Sequence, residues 1–217
     1  MSRSFPSILV LFAHPALQKS RVNRVLVDAV SGLPGVRLHD LYEVYPELDI
    51  HVQREQEALL EADLVVFQHP FYWYSTPAIL KEWQDLVLEH GWAFGHDGVA
   101  LRGKALLSVV STGGREEAYQ RSGYNRFTMG ELLVPFEQTA FLCGMDYLPP
   151  FVVHGTHLLS EAAIARHGRD YARALEALRD GRLDLDVVAG LPRLNSDLDR
   201  VIREVQPVAE DVDLGEE

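Results

Sequence analysis

The stretch that decides the fold is Leu11–Asn23, "LFAHPALQKSRVN". Its first residues finish the apolar, partly β-branched run "SILVLFA" (Ser7–Ala13), which suits a strand buried on both faces of a parallel sheet. Its last residues open "RVNRVLVDAVSGL", where Val22, Val25, Leu26, Ala29 and Val30 recur at helical spacing and Gly32 closes the helix. Between them lies a polar loop with His14, Lys19 and Ser20 and no glycine. A strand, a polar loop and a helix start make a common phosphate site in α/β proteins. The first N–H groups of the helix point outward and its dipole favours an anion. The loop has neither GxGxxG nor GxxxxGK(S/T), which argues against the common dinucleotide fold and against a P-loop nucleotidase. Ser20 adds a hydroxyl, and Asn23 brings an amide to the same turn. A plain helix cap is the simpler reading of Ser20, but it leaves His14 and Lys19 unexplained.

Downstream the pattern repeats. "GVRLHDL" reads as a second strand, "HVQREQEALLEA" as a helix, and "DLVVFQHP" (Asp63–Pro70) as a third strand stopped by Pro70. "PAILKEWQDLVLEH" is a helix with Pro77 at its start, and "GKALLSVVST" (Gly103–Thr112) a fourth strand. "ELLVPFEQTAFLCGM" is a helix with Pro135 near its first turn, and "PPFVVHGTH" a fifth strand. "SEAAIARHGRDYARALEALRDG" is a helix begun by Ser160 and Glu161. Strands alternating with helices predict a parallel sheet covered on both faces, in a domain over residues 1–181. Residues 182–217 are expected to form a C-terminal extension. In it "LDLDVVAGLPRLNSDLDRVIREV" holds one more short helix, and the acidic "QPVAEDVDLGEE" is a mobile tail.

The chain has 217 residues and a formal net charge of -12. That balance argues against a nucleic-acid surface and against simple electrostatic binding to an anionic membrane. The single cysteine, Cys143 in "TAFLCGM", excludes an intrachain disulfide and reads as a buried core residue rather than a nucleophile. No apolar run is long enough to span a bilayer. The N-terminus lacks a signal peptide's long apolar core, so the expected location is the cytoplasm. No metal site is expected: His154 and His157 of "HGTH", read on a strand, point to opposite faces, with no third ligand evident.

In an open α/β sheet, ligands bind beyond the carboxyl ends of the strands, where strand order reverses. Three polar loops lie there: "HPALQKSRVN", "HPFYWYST" and "STGGREEAY". Phe71, Tyr72, Trp73 and Tyr74 cannot all be buried in one core, and a flat heteroaromatic ligand suits some of them. Gly113 and Gly114 let the backbone approach a planar ring and present N–H groups to it. A phosphate loop, an aromatic loop and a glycine loop together point to flavin mononucleotide (FMN).

At these residues the chain resembles the flavodoxin-like NAD(P)H:quinone oxidoreductases. Among them it is most similar to the ancillary oxidoreductases of glutathione-regulated potassium-efflux systems. The matching segments include "AHP", "SRVN", "EQEALLEADLVVFQHPFYWYSTPAILKEW", "HGWAFGHDG", "GKALLSVVSTGG" and "FLCGMDYLPPFVVHGT". The resemblance implies an α/β three-layer sandwich with a five-stranded parallel sheet in the order 2-1-3-4-5. It implies FMN as cofactor, with FAD less favoured because no adenine-side fingerprint is visible. NAD(P)H would be the electron donor and a quinone-like molecule the acceptor, in ping-pong turns. His14, Ser20, Arg21, Val22 and Asn23 would surround the phosphate and ribityl chain. Phe71, Tyr72, Trp73 and Tyr74 would line the isoalloxazine, with Thr112, Gly113, Gly114 and Arg115 over its other edge. The backbone N–H groups of Gly113 and Gly114 are the first catalytic candidates, since they can stabilise negative charge on a reduced flavin. Tyr119 and His154 are further ones. A homodimer is expected, because Phe71–Tyr74 together with Trp92 and Phe94 exceed what one flavin covers. Two rival readings stand beside the enzyme: a flavodoxin-type electron carrier, and a flavin-binding regulatory subunit of a potassium-efflux transporter. The latter would hold the protein at the inner face of the membrane.

Overall fold

A computed structural model describes residues 3–203. The acidic tail predicted to be mobile lies outside them. Five parallel strands, β1 (Ile8–Phe12), β2 (Val36–Asp40), β3 (Leu64–Pro70), β4 (Ala105–Ser111) and β5 (Asp146–Val153), pair in the order β2-β1-β3-β4-β5. This is the predicted flavodoxin-like order. The central strands β1, β3 and β4 are buried along their whole length, as continuous apolar runs require. Alternate residues serve two cores. Ile8, Val10, Leu64, Val66 and Leu107 face helices α1 (Arg21–Val30) and α6 (Glu161–Arg179). Leu9, Leu11, Val65, Phe67 and Leu106 face α3 (Val52–Glu61), α4 (Ala78–Val87) and α5 (Met129–Leu142). On the first face α6 seats α1 closely through Gly168, where a Cβ would lie 2.9 Å from Val25 Cγ1.

The structure corrects four details. A short helix α2 (Leu41–Val44), capped by Asp40, follows β2 and carries no periodic signal. Helix α5 begins at Met129 through a Thr128–Glu131 capping box, so Pro135 lies inside the helix rather than near its first turn. Strand β5 starts at Asp146 and ends at Val153, which puts Pro149 and Pro150 inside it and "HGTH" beyond it. An edge strand tolerates such prolines, and its register against β4 slips between Leu107 and Val109. Residues beyond α6 form two short helices, α7 (Leu185–Val188) and α8 (Leu198–Val201), with a 3-10 turn between them, not one helix. Leu183, Val188, Leu194, Leu198 and Val201 are buried in the core beneath α6.

One polar group ties the second face together. Glu55 on α3 is fully buried. It accepts from the Tyr45 hydroxyl at 2.6 Å, from Trp83 Nε1 at 2.9 Å, and pairs with His39 Nε2 at 2.9 Å. Burial pushes the Glu55 carboxyl up, but the hydrogen bonds from His39, Tyr45 and Trp83 outweigh it and leave it below its ordinary value. Burial and Glu55 together push the Tyr45 phenol up to about 12. Glu55→Ala strands these donors, and the expected loss in urea unfolding is about 3–5 kcal/mol, as for other broken buried pairs. The stability Glu55 contributes is full above the unfolded carboxyl's pKa of about 4.3 and is lost as pH falls through its lower folded value. The variant's deficit should therefore shrink in strong acid; a deficit independent of pH would contradict the assignment.

Candidate functional site

The site is built on the carboxyl ends of the strands. Beyond β1, His14 is buried, and the Ala16 N–H donates to its Nδ1 at 3.1 Å, so the ring's proton sits on Nε2. Burial lowers its pKa. A 3-10 turn, Leu17–Lys19, delivers the chain to Ser20, the cap of α1. Ser20 Oγ accepts from the Asn23 N–H at 3.1 Å and from Asn23 Nδ2 at 3.2 Å, which leaves its own proton free to donate. Asn23 Nδ2 also reaches Ser111 Oγ at 2.9 Å. Buried Asn23 is thus a strut from α1 to the end of β4 as well as a wall of the site. Among the described residues nothing accepts from the N–H groups of Arg21 and Val22, the first two of α1.

Beyond β3 the chain makes a tight turn, with the Ser75 N–H donating to the Tyr72 carbonyl at 2.9 Å. Trp73 and Tyr74 take left-handed φ values of 48° and 61°. Bulky residues there carry strain of about 1–3 kcal/mol each, of the kind that collects at functional sites. Phe71 is buried, and its N–H donates to the Ser111 carbonyl at 2.8 Å. Trp73 is 94% exposed. Trp92 and Phe94, expected among the exposed aromatics, instead pack against their own subunit's core.

Beyond β4, Thr112 shares a short hydrogen bond with the Tyr119 hydroxyl. The two glycines are needed for space rather than for special φ. A Cβ on Gly114 would sit 2.8 Å from Tyr119 Cε2, and one on Gly113 would sit 3.1 Å from His157 Cδ2. The loop after β5 is stitched to this one, with the Gly155 N–H donating to the Gly114 carbonyl at 2.9 Å and the Thr156 N–H to that of Thr112 at 3.1 Å. The Tyr119 and His154 rings lie 5.3 Å apart. Burial, aided by the positive charge of Arg193, holds His154 at about 4, so its imidazole is neutral at physiological pH.

These loops enclose a cleft of about 300 Å³. His14, Ser20, Arg21, Val22, Asn23, Phe71, Tyr72, Thr112 and Gly113 line it. Gly114, Tyr119 and His154 stand behind that wall, Trp73 and Tyr74 at its mouth, and Arg115 is exposed on the loop. Ser111, Thr156 and His157 also line the cleft: Ser111 opens the loop "STGGREEAY" but is not among the residues named for the flavin, His157 is weighed only as a metal ligand, and Thr156 is not singled out. The available signal was position: Thr156 and His157 follow the carboxyl end of β5. Lys19 and Arg21 bring positive charge to the cleft of an acidic chain. A larger groove of about 620 Å³, beside Tyr147 and Asp186, lies at the amino end of β5, where no switch point exists. Among the described residues no cluster of three or more metal-ligating side chains occurs. None of their helices is long and apolar enough to cross a membrane.

A family model described as the flavodoxin-like fold matches residues 6–177. The glutathione-regulated potassium-efflux system ancillary protein KefF of Klebsiella aerogenes is 44% identical over 168 residues, which cover 77% of this chain and 94% of that protein. The structure of general stress protein 14 from Treponema denticola, in complex with FMN, matches with a TM-score of 0.76 at 39% identity, covering 80% of this chain and 99% of that one. An NADPH-quinone reductase from P. pentosaceus matches with a TM-score of 0.71 at 37% identity, covering 77% and 96%. The sheet order, the cleft at its switch point and these matches agree: the chain belongs to the flavodoxin-like family.

Proposed function

We propose that the protein binds FMN in this cleft and catalyses NAD(P)H-dependent reduction of a quinone-like acceptor. The observation that carries the reading is the pair of unpartnered N–H groups at Arg21 and Val22, with the free Ser20 proton beside them and Lys19 nearby. That donor set fits a phosphate. The space kept open at Gly113 and the turn at Tyr72–Ser75 fit the edges of a flat ring. FMN, when bound, supplies the two-electron chemistry. Ser20, Arg21 and Val22 would hold its phosphate at α1, the Asn23–Ser111 strut holds the phosphate and glycine loops together, and the Gly113 N–H would be available to the ring edge. Gly114, Tyr119 and His154 support that edge from behind, with His154 neutral. With FMN held there, the open side of the cleft would admit donor and acceptor in turn, as a ping-pong cycle requires. The complex of the Treponema denticola relative supports FMN over FAD, and the P. pentosaceus reductase supports the reaction class.

Ser20→Asp tests the phosphate assignment. Aspartate caps a helix as well as serine does, so thermal stability should hold. The new carboxylate repels a phosphate, and FMN affinity should fall roughly tenfold or more, riboflavin affinity much less. Equal losses for FMN and riboflavin, or none, would overturn the assignment.

We also propose a homodimer with the flavin clefts beside the interface. Tyr72, Trp73 and Tyr74 are exposed beside the cleft, Tyr124 and Phe127 are exposed on the loop whose Asn125 accepts from the Tyr74 hydroxyl, and such aromatic surface marks an interface. Light scattering should give twice the 24.4 kDa chain mass, and Trp73→Asp should shift the mass toward one chain. A monomeric wild type sinks the claim. A second reading, a regulatory partnership with a potassium-efflux transporter, is favoured by the match to KefF, and it is compatible with the enzyme.

A further inference from the structure

Residues 182–203 lie outside the segment that the family model matches, yet they are built into the described structure at a specific place. Strand β5 is one of the two edge strands of the sheet. Asn195 takes up that edge as a missing strand would. Its Oδ1 accepts from the Val152 N–H at 3.0 Å and its Nδ2 donates to the Val152 carbonyl at 2.9 Å. Leu194 beside it is fully buried, and the Ser196 N–H donates back to the Arg193 carbonyl at 3.1 Å, so the backbone carrying Arg193 is anchored by its own carbonyl and by its next neighbour.

From that fixed point the Arg193 guanidinium reaches Glu116 at 2.7 Å; the arginine side chain is 18% exposed and the glutamate 56%. Glu116 opens the 3-10 turn Glu116–Ala118 behind the glycine loop. Its carbonyl accepts from the Tyr119 N–H at 2.9 Å. The Tyr119 hydroxyl meets Thr112, and the Tyr119 ring packs where a side chain on Gly114 would clash. A continuous chain of contacts therefore runs from the extension through Glu116 and Tyr119 to the wall of the cleft.

We propose that the C-terminal extension is a working part of the site: Asn195 docks it on the edge of β5, and Arg193 is a positioning residue that holds the Glu116–Tyr119 turn, and with it the glycine loop, in place. The proposal rests on the oxidoreductase reading for its catalytic consequence and on geometry alone for its structural one. An isolated exposed ion pair contributes little. This one differs because its arginine is rigidly mounted and its glutamate belongs to the turn that sets Tyr119.

The test is a double-mutant cycle on the full chain with Arg193→Gln, Glu116→Gln and both together. Neither residue lines the phosphate end of the cleft, so FMN affinity should fall by less than kcat/KM does. Each single change should lower kcat/KM for quinone reduction roughly fivefold, and the double change should lower it no further, as expected for two residues that act through one contact. The exchanged pair, Arg193→Glu with Glu116→Arg, should recover most of the loss, which a general loss of packing would not do. Hydrogen exchange supplies a readout that needs no flavin: Arg193→Gln should speed exchange at the Tyr119 amide while the amides of β1 and β3 stay protected. Wild-type kcat/KM in both single variants, losses that multiply in the double, or an unchanged Tyr119 amide would overturn the proposal. A wild type that binds no FMN would overturn the functional reading instead, and the exchange result would still decide the positioning role.

Discussion

An α-helix cannot satisfy its own first N–H groups, because no earlier turn exists to accept from them. In this protein that constraint falls at the switch point of the sheet. Strands β2 and β3 flank β1 on opposite sides, so the crossover helices leave to opposite faces and a crevice opens over the end of β1. Helix α1 starts in that crevice. Ser20 satisfies Asn23, while Arg21 and Val22 keep their donors turned to the cleft. The dipole of α1 and the charges of Lys19 and Arg21 act in the same direction, so a local excess of positive potential stands in a chain of net charge -12.

The rest of the site consists of ways to hold loops at that end of the sheet. Asn23 joins α1 to β4 through Ser111, and the Phe71 N–H joins the aromatic loop to the same residue's carbonyl. Thr112 and Gly114 join the loops after β4 and β5. These bonds run across the ends of strands that are themselves buried and stiff, which is how loops without regular structure keep a fixed shape. The left-handed pair Trp73–Tyr74 is closed by the bond from the Ser75 N–H to the Tyr72 carbonyl and tied down by the Tyr74 hydroxyl, which donates to Asn125. Its cost sits at the mouth of the cleft and not in the core.

Much of this was legible in the sequence, and the misses share a cause. Continuous apolar runs such as "SILVLFA" mark buried parallel strands, and their alternation with helices leaves few topologies. Of the loops named from motif logic, His14, Lys19 to Asn23 and Ser111 to Gly113 line the cleft. The start of β5 was hidden because Pro149 and Pro150 read as a boundary, whereas an edge strand accommodates them with a register slip. That error placed "HGTH" on a strand and masked Thr156 and His157 as cleft residues. Trp92 and Phe94 looked like surplus surface because a single sequence does not show which side of a loop packs inward. Glu55 and Arg193 were invisible for a different reason: their partners lie far off in the chain, and no local pattern distinguishes a buried or mounted charge from a solvated one.

The central claim is that the open donors of α1 receive the cofactor's phosphate. The most direct measurement is an amide NMR titration of the protein with FMN and, separately, with riboflavin. The Arg21 and Val22 amide protons should move strongly downfield with FMN and little with riboflavin, as hydrogen bonds to a dianion form. Shifts of equal size with both ligands, or none at these two residues while others respond, would contradict it.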